Sequence, residues 1–321
     1  MRAVAMMDFD SGASLQELPV PEPASNELLV RVYGSSVNGM DMGIAGGHMK
    51  DMMEYEFPVV LGRDFAGVVE GVGPAVSRYR VGDEVIGFVS KPTLHDGTWA
   101  DYVVVPEDGQ LAPKPTSLDF GQAGALPLAG ASAVLAVEAV APGAGESVLV
   151  VGAGGGVGGY VVQMAAGRGA HVIATARPED EERLRALGVA ETIDYTASDV
   201  AAAVRERHPE GVHVLVDCVP WAPTWSDALT ELAAKVVREG GRVVSTLNAV
   251  RPEELEARNI TGTNVMAIFQ TGGVARVAEL ADAGKLTVPV DTVRPLTEAV
   301  AALEQFARGK RGKIIITVAD Q

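Results

Sequence analysis

The chain has 321 residues, a length that predicts about two domains. It carries 26 Lys and Arg against 42 Asp and Glu, which gives a formal net charge of −16. Because nucleic acid backbones and anionic membranes are also negative, this charge disfavours both as partners. Cys218 is the single cysteine, so the sequence excludes an intrachain disulfide and a zinc site built from four thiolates.

The start of the chain does not read as a targeting signal. One Arg precedes a short apolar run that Asp8 interrupts, and this run is too short for a signal peptide. Residues 147–167 are uncharged and long enough to span a bilayer, but six glycines between Gly152 and Gly159 disfavour a lipid-facing helix. Together with the lone cysteine, these features predict a cytoplasmic protein.

The first predicted elements are short β-like segments bounded by Gly and Pro, several of which alternate apolar and polar residues. They cover residues 27–34, 65–73, 83–89 and 99–106. Such segments predict a small antiparallel barrel or sandwich in the first part of the chain.

The pattern changes near residues 115–125, where strands begin to alternate with helices. The predicted strands cover residues 147–151, 171–175, 212–217 and 242–246. Residues 225–241 predict an amphipathic helix closed by glycine. This alternation predicts an α/β fold with a doubly wound parallel sheet. The tail adds predicted helices at 274–285 and 296–309 and a strand at 313–318.

A glycine-rich turn follows the strand at 147–151 and opens a helix. It contains Gly154-x-Gly156-x-x-Gly159 and, in a second register, Gly152-x-x-Gly155-x-x-Gly158. A sharp turn lets the backbone approach a pyrophosphate, and the helix N-terminus offers free N–H groups to the anion. The strand–turn–helix context predicts dinucleotide binding, whereas a turn used only for tight packing is the alternative.

The end of the next strand indicates which dinucleotide binds. Sites for NAD place an acidic residue there, but this strand ends Ala-Thr-Ala before Arg177. A guanidinium at that position can pair with the 2′-phosphate of NADPH, and Tyr195 can add a hydroxyl. The acidic run 179–182 counts against this assignment, although acids at a helix start are common. The sequence therefore favours NADPH.

A set of ordered motifs resembles the medium-chain dehydrogenase/reductase superfamily, in particular its zinc-free, quinone-oxidoreductase-like branch. Besides the glycine turn, the motifs are Val-Asn-Gly-Met-Asp at 37–41, Leu-Gly-Arg-Asp-Phe-Ala-Gly at 61–67, Val-Gly-Asp-Glu-Val at 81–85, Ala-Leu-Pro-Leu-Ala-Gly at 125–130 and Arg-Gly-Lys at 311–313. Their order and spacing cover nearly the whole chain.

The resemblance implies a GroES-like β-barrel domain at 1–122 and a Rossmann, doubly wound parallel-sheet domain at 123–265. It further implies a C-terminal segment, 266–321, that returns to the first domain. Relatives of this type are commonly homodimers joined through the Rossmann edge strand, for which 259–268 is the candidate here.

The resemblance also bears on metal chemistry. Zinc-dependent relatives keep Cys where this chain has Asn38, and a His-Glu pair where it has Arg63 and Asp64. Zinc needs about three converging N or S ligands, so we expect no catalytic metal. Without a Lewis acid, alcohol oxidation lacks alkoxide stabilisation, whereas a quinone or a conjugated C=C bond is already electrophilic. The expected activity is therefore NADPH-dependent reduction of quinones or α,β-unsaturated carbonyls.

The family pattern implies cofactor contacts and catalytic candidates by position. The cofactor contacts are Asn38, Ser132, Gly152, Gly154, Gly155, Gly156, Val157, Gly158, Thr175, Arg177, Tyr195, Cys218, Val219, Ser245, Leu247, Phe269 and Lys313. Asn38, His48 and Tyr55 are the catalytic candidates, although His48 is also typical of a surface loop beside glycines and water is an alternative proton source. Trp221 and Trp225 depart from the usual glycine-containing turn, and they would narrow the cleft or stabilise a dimer.

The other histidines carry less information. His95 lies in a turn, His171 starts a strand, and His208 and His213 flank Pro209 and Gly211, as structural residues often do. No metal-ligand spacing is evident among them.

Two other functions remain open from sequence alone. One is an enoyl reductase acting on a carrier-bound thioester, which the strongly negative charge disfavours because a phosphopantetheine carrier favours a basic patch. The other is an NADPH-binding sensor or structural protein with little turnover.

Overall fold

The computed structural model describes residues 1–219 and 225–319, and the chain divides into two compact units. Unit 1 consists of Met1–Ala131, Ile268–Gly284 and the chain from Val288 onwards. Unit 2 consists of Ser132–Ala267 with the short segment Lys285–Thr287. The first boundary thus lies nine residues beyond the sequence-based one at 122/123, because residues 123–131 pack within unit 1.

The helices and strands follow one another in three stretches. The first contains β1 (Arg2–Met6), β2 (Ala13–Glu17), β3 (Glu27–Ser36), α1 (Gly39–Ala45), β4 (Glu54–Tyr55), β5 (Val59–Val60), β6 (Asp64–Val72), β7 (Glu84–Phe88), β8 (Thr93–Leu94), β9 (Tyr102–Pro106), β10 (Leu111–Pro113), α2 (Phe120–Gly124) and α3 (Pro127–Val140). The second contains β11 (Ser147–Val151), α4 (Gly156–Gly167), β12 (His171–Ala176), α5 (Glu181–Ala186), β13 (Glu191–Asp194), α6 (Val200–Arg207), β14 (Val212–Asp217), α7 (Trp225–Val236), β15 (Val237–Ser245), α8 (Pro252–Glu256) and β16 (Thr261–Asn264). The third contains α9 (Gly273–Asp282), β17 (Val290–Pro295), α10 (Ala299–Arg308) and β18 (Lys313–Thr317). Short 3₁₀ helices lie at Pro178–Asp180, Ala267–Phe269 and Leu296–Glu298.

Unit 1 is built around a sheet with the strand order β10-β7-β6-β3-β18-β17, in which β9 also pairs with β3. Most neighbours are antiparallel, and only β17 and β18 are parallel. A three-stranded sheet, β2-β1-β5, and the pair β4-β8 complete the described strands of the unit. The antiparallel architecture predicted for the first part of the chain is confirmed. Because β18 comes from the far end of the sequence, its pairing with β3 brings Lys313 beside the segment that follows β3.

Unit 2 contains a six-stranded parallel sheet with the order β13-β12-β11-β14-β15-β16. The predicted α/β fold with a doubly wound sheet is confirmed. All five residues of β11 are buried, as expected for a strand covered on both faces. The strand order reverses between β11 and β14, and in such sheets ligands bind beyond the carboxyl ends of the strands at this point.

The uncharged window at 147–167 forms β11, a turn and α4. Within residues 1–219 and 225–319, no helix is long and apolar enough to cross a membrane.

One predicted helix is wrong in its length. Residues 225–241 were expected to form a single helix, but α7 ends at Val236 and β15 begins at Val237. The register between β14 and β15 shifts near this point, because Val212 pairs with Val237 while Val214 pairs with Arg242. Gly240 has φ of 73°, and a Cβ on Gly241 would lie 2.3 Å from the Val237 side chain. These glycines therefore allow the irregular start of β15, where the sequence pattern predicts the end of a helix.

Candidate functional site

Two glycines of the turn between β11 and α4 are required by its geometry. Gly152 has φ of 83°, in the left-handed region that side chains disfavour. A Cβ on Gly158 would lie 2.2 Å from the Gly152 carbonyl oxygen, so α4 packs directly on the turn. Gly154 is different, because a Cβ there would meet its nearest atom, Arg183 Nη2, only at 3.5 Å. The turn therefore combines tight packing at its base with open backbone at its tip.

The N-terminus of α4 provides the anion-binding feature that the sequence predicts. Gly155 is the N-cap residue, and it has no side chain to accept a hydrogen bond from the first helical turn. The N–H groups of that turn, together with the positive end of the helix dipole, favour a bound phosphate. These residues fit the pyrophosphate of a dinucleotide.

Arg177 and Tyr195, which the sequence proposed for one cofactor phosphate, lie next to each other. Arg177 follows β12, Tyr195 follows β13, and the Arg177 Nε donates a hydrogen bond to the Tyr195 hydroxyl at 3.1 Å. This contact and the nearby acids raise the pKa of Arg177, so it stays cationic. Arg177 also lines an open cavity of about 410 Å³ beside β12 and β13. The pair has the donors and the charge that a 2′-phosphate requires.

A buried network joins the carboxyl ends of β14 and β15. Asp217 accepts hydrogen bonds from the Ser245 hydroxyl at 2.7 Å and from the Trp225 indole at 3.1 Å. Burial raises the pKa of Asp217, while these hydrogen bonds oppose the rise. Burial also raises the pKa of the neighbouring Cys218 thiol well above its ordinary value, which disfavours the reactive thiolate. Ser245 therefore serves to fix the end of the strand, and Trp225 anchors the start of α7.

Of the other proposed cofactor residues, one shapes the glycine turn and three are half-buried or exposed. Thr175 is buried, and its hydroxyl accepts a hydrogen bond from the Gly152 N–H at 3.4 Å, so it shapes the turn. Ser132 lies half-buried in α3, and Leu247 is exposed beyond β15. Phe269 belongs to unit 1 and is 69% exposed, which leaves its ring accessible to a ligand.

The remaining predicted cofactor positions, Val157 and Val219, lie at the start of α4 and just after β14. Trp221, which the sequence analysis also singled out, lies outside the described residues.

Asn38 lies in a buried polar network in unit 1. Its Nδ2 donates to Asp64 Oδ2 at 2.8 Å, and its Oδ1 accepts from Lys313 Nζ at 2.7 Å. Asp64 also accepts from the Ser36 hydroxyl at 2.6 Å and from the Leu128 backbone N–H at 2.7 Å. Lys313 is 1% exposed, and burial lowers its pKa. The ammonium holds Asn38 inside unit 1, and the predicted contact between Lys313 and the cofactor stays a prediction.

Two further charged residues are buried next to this network. Asp41 Oδ2 accepts a hydrogen bond from the Asn38 backbone N–H at 2.7 Å, while Asp41 Oδ1 has no hydrogen-bond partner among the described residues. Burial raises the pKa of Asp41 to about 7. Arg63 donates to the carbonyl oxygens of Gly62 at 2.9 Å, Val60 at 3.0 Å and Asp96 at 2.6 Å. The Arg63 side chain is therefore committed to the backbone.

The residues of this network do not fit a catalytic zinc ion. At the positions where the family's zinc ligands stand, the chain has an amide, a guanidinium and one carboxylate. The Lys313 ammonium lies 2.7 Å from Asn38 Oδ1 and 3.5 Å from Asp64 Oδ2, so a positive charge is already next to the one carboxylate at these three positions. A divalent cation there would face electrostatic repulsion and an incomplete ligand set.

The two other catalytic candidates have different surroundings. His48 is exposed in the turn after α1, and its ring lies over Gly46. Tyr55 is half-buried and donates its hydroxyl to the Ile44 carbonyl oxygen at 3.1 Å, while burial raises the pKa of the phenol. The Tyr55 ring packs against Phe9, with ring centroids 5.0 Å apart. Tyr55 therefore has a structural hydrogen bond, whereas His48 is exposed to solvent.

The sequence analysis missed the supporting residues of these networks. Asp41 and Asp64 belong to the quoted motifs, and Asp217 ends a predicted strand, but none was chosen as a site residue. Acidic residues in otherwise apolar segments were the available signal, since a buried carboxylate needs donors around it.

Comparisons with known proteins agree with this architecture. Residues 24–116 match the family described as "Alcohol dehydrogenase GroES-like domain", and residues 187–316 match the family described as "Zinc-binding dehydrogenase". The second description names a metal that the network around Asn38 does not fit.

Among curated proteins, the chain is 30% identical to the "2-methylene-furan-3-one reductase" of Solanum lycopersicum, over 98% of this chain and 79% of that protein. It is 36% identical to the "NADPH-dependent alkenal/one oxidoreductase, chloroplastic" of Arabidopsis thaliana, over 73% of this chain and 58% of that protein's length. Among solved structures, the quinone oxidoreductase of Coxiella burnetii is similar, with a TM-score of 0.86 and 26% identity over 99% of both chains.

Proposed function

Since the chain belongs to the medium-chain dehydrogenase/reductase superfamily, with quinone-oxidoreductase-like relatives, we propose that it is an NADPH-dependent reductase. Its substrates would be quinones or the C=C bond of α,β-unsaturated carbonyls. Two features of this one chain support the proposal. Unit 2 has a turn that suits a phosphate, and the buried network of unit 1 holds a lysine where a catalytic zinc ion would need ligands. The relatives include an alkenal/one oxidoreductase and a 2-methylene-furan-3-one reductase, whose names agree with this substrate class.

The preference for NADPH rests on Arg177. Its guanidinium is cationic, exposed and oriented by Tyr195, and the end of β12 carries no carboxylate that would repel a phosphate. Arg177→Ala should weaken NADPH binding about 10- to 100-fold and leave NADH binding nearly unchanged.

Fluorescence titration with both cofactors measures this difference. Arg185 is a matched control, because it lines the same cavity but is paired with Glu181 at 2.8 Å. Arg185→Ala should leave the ratio of the two affinities unchanged. Equal weakening of NADPH and NADH by Arg177→Ala would refute the assignment of the 2′-phosphate site.

The proposed chemistry is hydride transfer from the nicotinamide of NADPH to the β-carbon of an enone or to a quinone. The cofactor supplies the reducing power when it is bound, and the protein binds and orients it. In the enone reaction the negative charge that develops is shared between oxygen and carbon, so a metal is not needed to stabilise it. A proton then completes the reduced carbonyl compound.

Water is the proposed source of this proton. The Asn38 amide is committed to Asp64 and Lys313, and the Tyr55 hydroxyl is committed to the Ile44 carbonyl oxygen. His48 is the remaining candidate, but it is exposed in a turn with a glycine on its N-terminal side. An imidazole exposed to water is a poor general acid, because precise positioning determines the rate benefit of proton transfer.

The decisive experiment is a screen of NADPH consumption with the purified chain. The panel contains quinones, enones, enoyl thioesters and simple alcohols with NADP⁺. We expect turnover with quinones or enones and none with alcohols. Turnover limited to enoyl thioesters would replace the proposal with a thioester reductase, and binding without turnover on any substrate would favour a sensor.

We also propose a homodimer that forms through β16. This strand is the last in the order of the described sheet, and its sequence Thr-Gly-Thr-Asn carries neither charge nor proline to block strand addition. Sedimentation equilibrium should give twice the mass of one chain, and a single-chain mass at micromolar concentration would contradict the proposal. The cytoplasmic location expected from the sequence stays a prediction.

A further inference from the structure

Three polar side chains from separate elements of unit 2 meet at the edge of the sheet. His171 begins β12, Glu191 begins β13, and His208 is the C-cap residue of α6. Because β12 and β13 are parallel neighbours, both strands start on the same side of the sheet. The glycine turn and Arg177 lie at the carboxyl ends of their strands, on the opposite side. The cluster is therefore separate from the proposed cofactor site.

The distances within the cluster suit a metal ion. His171 Nε2 lies 2.6 Å from Glu191 Oε1, and His208 Nε2 lies 3.2 Å from the same oxygen. All three potential ligand atoms lie within 4.8 Å of one another. A tetrahedral zinc ion with bonds of about 2.0–2.2 Å holds its ligands about 3.4 Å apart, so small side-chain rotations suffice. Within residues 1–219 and 225–319, this is the one group of three such ligands.

His208 gives an independent reason to expect a ligand. Its Nε2 atom is buried but has no hydrogen-bond partner among the described residues, despite its short distance from Glu191. A buried polar atom without a partner is costly, and coordination to a cation would satisfy it.

The charges around the cluster indicate how Glu191 would bind. Arg207 Nη1 lies 3.7 Å from Glu191 Oε2 and donates to the Thr192 carbonyl oxygen at 2.9 Å. Arg207 thus faces Glu191 Oε2, whereas Glu191 Oε1 faces both imidazoles. This arrangement favours a monodentate carboxylate, and the positive charge of Arg207 limits the affinity.

We propose that His171, Glu191 and His208 form a site for a divalent transition-metal ion that ties the end of α6 to the edge of the sheet. Two imidazole nitrogens and one carboxylate oxygen select Zn²⁺, Cu²⁺, Ni²⁺ or Co²⁺ over Mg²⁺ and Ca²⁺. Water completes the coordination, since the His171 side chain is 43% exposed. The bound ion stabilises unit 2, because it binds the folded arrangement of three elements that separate on unfolding.

The test uses the full chain without an affinity tag, stripped with a chelator and dialysed. Isothermal titration with Zn²⁺ in excess Mg²⁺ should show one equivalent bound, and Zn²⁺ should raise the melting temperature where Mg²⁺ does not. His208→Ala and His171→Ala should each weaken Zn²⁺ binding by at least about tenfold, since even residues that only support a ligand cost 10- to 100-fold. His95→Ala is the matched control, because His95 lies in unit 1 and bonds the Glu56 carbonyl oxygen.

A measurement on the unmodified chain covers the case in which a variant fails to fold. The electron paramagnetic resonance spectrum of one equivalent of Cu²⁺ should show hyperfine splitting from two imidazole nitrogens. The proposal would be overturned if the unmodified chain did not bind Zn²⁺, or if the His171 and His208 variants bound Zn²⁺ as tightly as the unmodified chain. Cu²⁺ coupled to fewer than two nitrogens would also overturn it. In that case the cluster is only a set of close contacts between a carboxylate and two histidines.

Discussion

Asp41 should make the folded state less stable as the pH rises towards neutrality. Its carboxyl is fully buried, one of its oxygens has no hydrogen-bond partner among the described residues, and burial raises its pKa to about 7 from an ordinary value of 3.8. The folded state therefore holds this proton more tightly than the unfolded state. Stability falls as the pH rises from 3.8, and the loss is complete above about pH 7.

The size of the effect follows from the pKa difference. A tenfold change in proton affinity is worth about 1.4 kcal/mol, so the full difference for Asp41 is about 4 kcal/mol. Between pH 5 and pH 8 the folded state should lose about 2–3 kcal/mol of this stabilisation. Asp41→Asn removes the titration but keeps an oxygen that accepts from the Asn38 N–H. Its new amide group lacks a partner at every pH, so that cost cancels between the two pH values.

Urea denaturation of both proteins at pH 5 and pH 8 measures this change. The free energy of unfolding of Asp41→Asn, relative to that of the original chain, should be larger by about 2–3 kcal/mol at pH 8 than at pH 5, because only the original chain loses stability over this range. Asp51→Asn is the control for the loss of one carboxylate, because Asp51 is exposed in the same region of unit 1. A constant difference for Asp41→Asn, or one of opposite sign, would refute the reasoning.

Three other predictions test the buried network, the proton source and the metal dependence. Lys313→Met should cost about 3–5 kcal/mol of stability by urea denaturation, because it leaves Asp64 charged and buried, and the double variant with Asp64→Asn should recover part of that loss. His48→Ala should lower kcat less than about tenfold with NADPH affinity unchanged, whereas a loss of about 100-fold or more would make His48 the general acid. Chelators should leave the rate of NADPH oxidation unchanged, and an activity lost on chelation and restored by zinc would contradict the zinc-independent chemistry.

Local sequence signals were sufficient for much of unit 2. The strands β11 and β14 have the bounds that their β-branched runs predicted, because a strand buried on both faces needs a continuous apolar segment. The glycines also predicted the turn between β11 and α4, since the positive φ at Gly152 and the close packing at Gly158 tolerate no side chain. The sequence proposes Arg177 and Tyr195 as cofactor residues, and the pairing of β12 with β13 explains why they are in contact.

Tertiary structure alone decided where the chain's buried charges meet. Lys313 and Asn38 are 275 positions apart, and only the pairing of β18 with β3 brings the ammonium to the amide and excludes a second cation. His171, Glu191 and His208 come from three elements, so no ligand spacing in the sequence marks them. Hydrophobic periodicity and glycine positions indicate the local backbone conformation. A buried polar group, in contrast, is stable only when hydrogen-bond partners from distant parts of the chain lie next to it. Those partners are determined by strand order, which a single sequence does not encode locally.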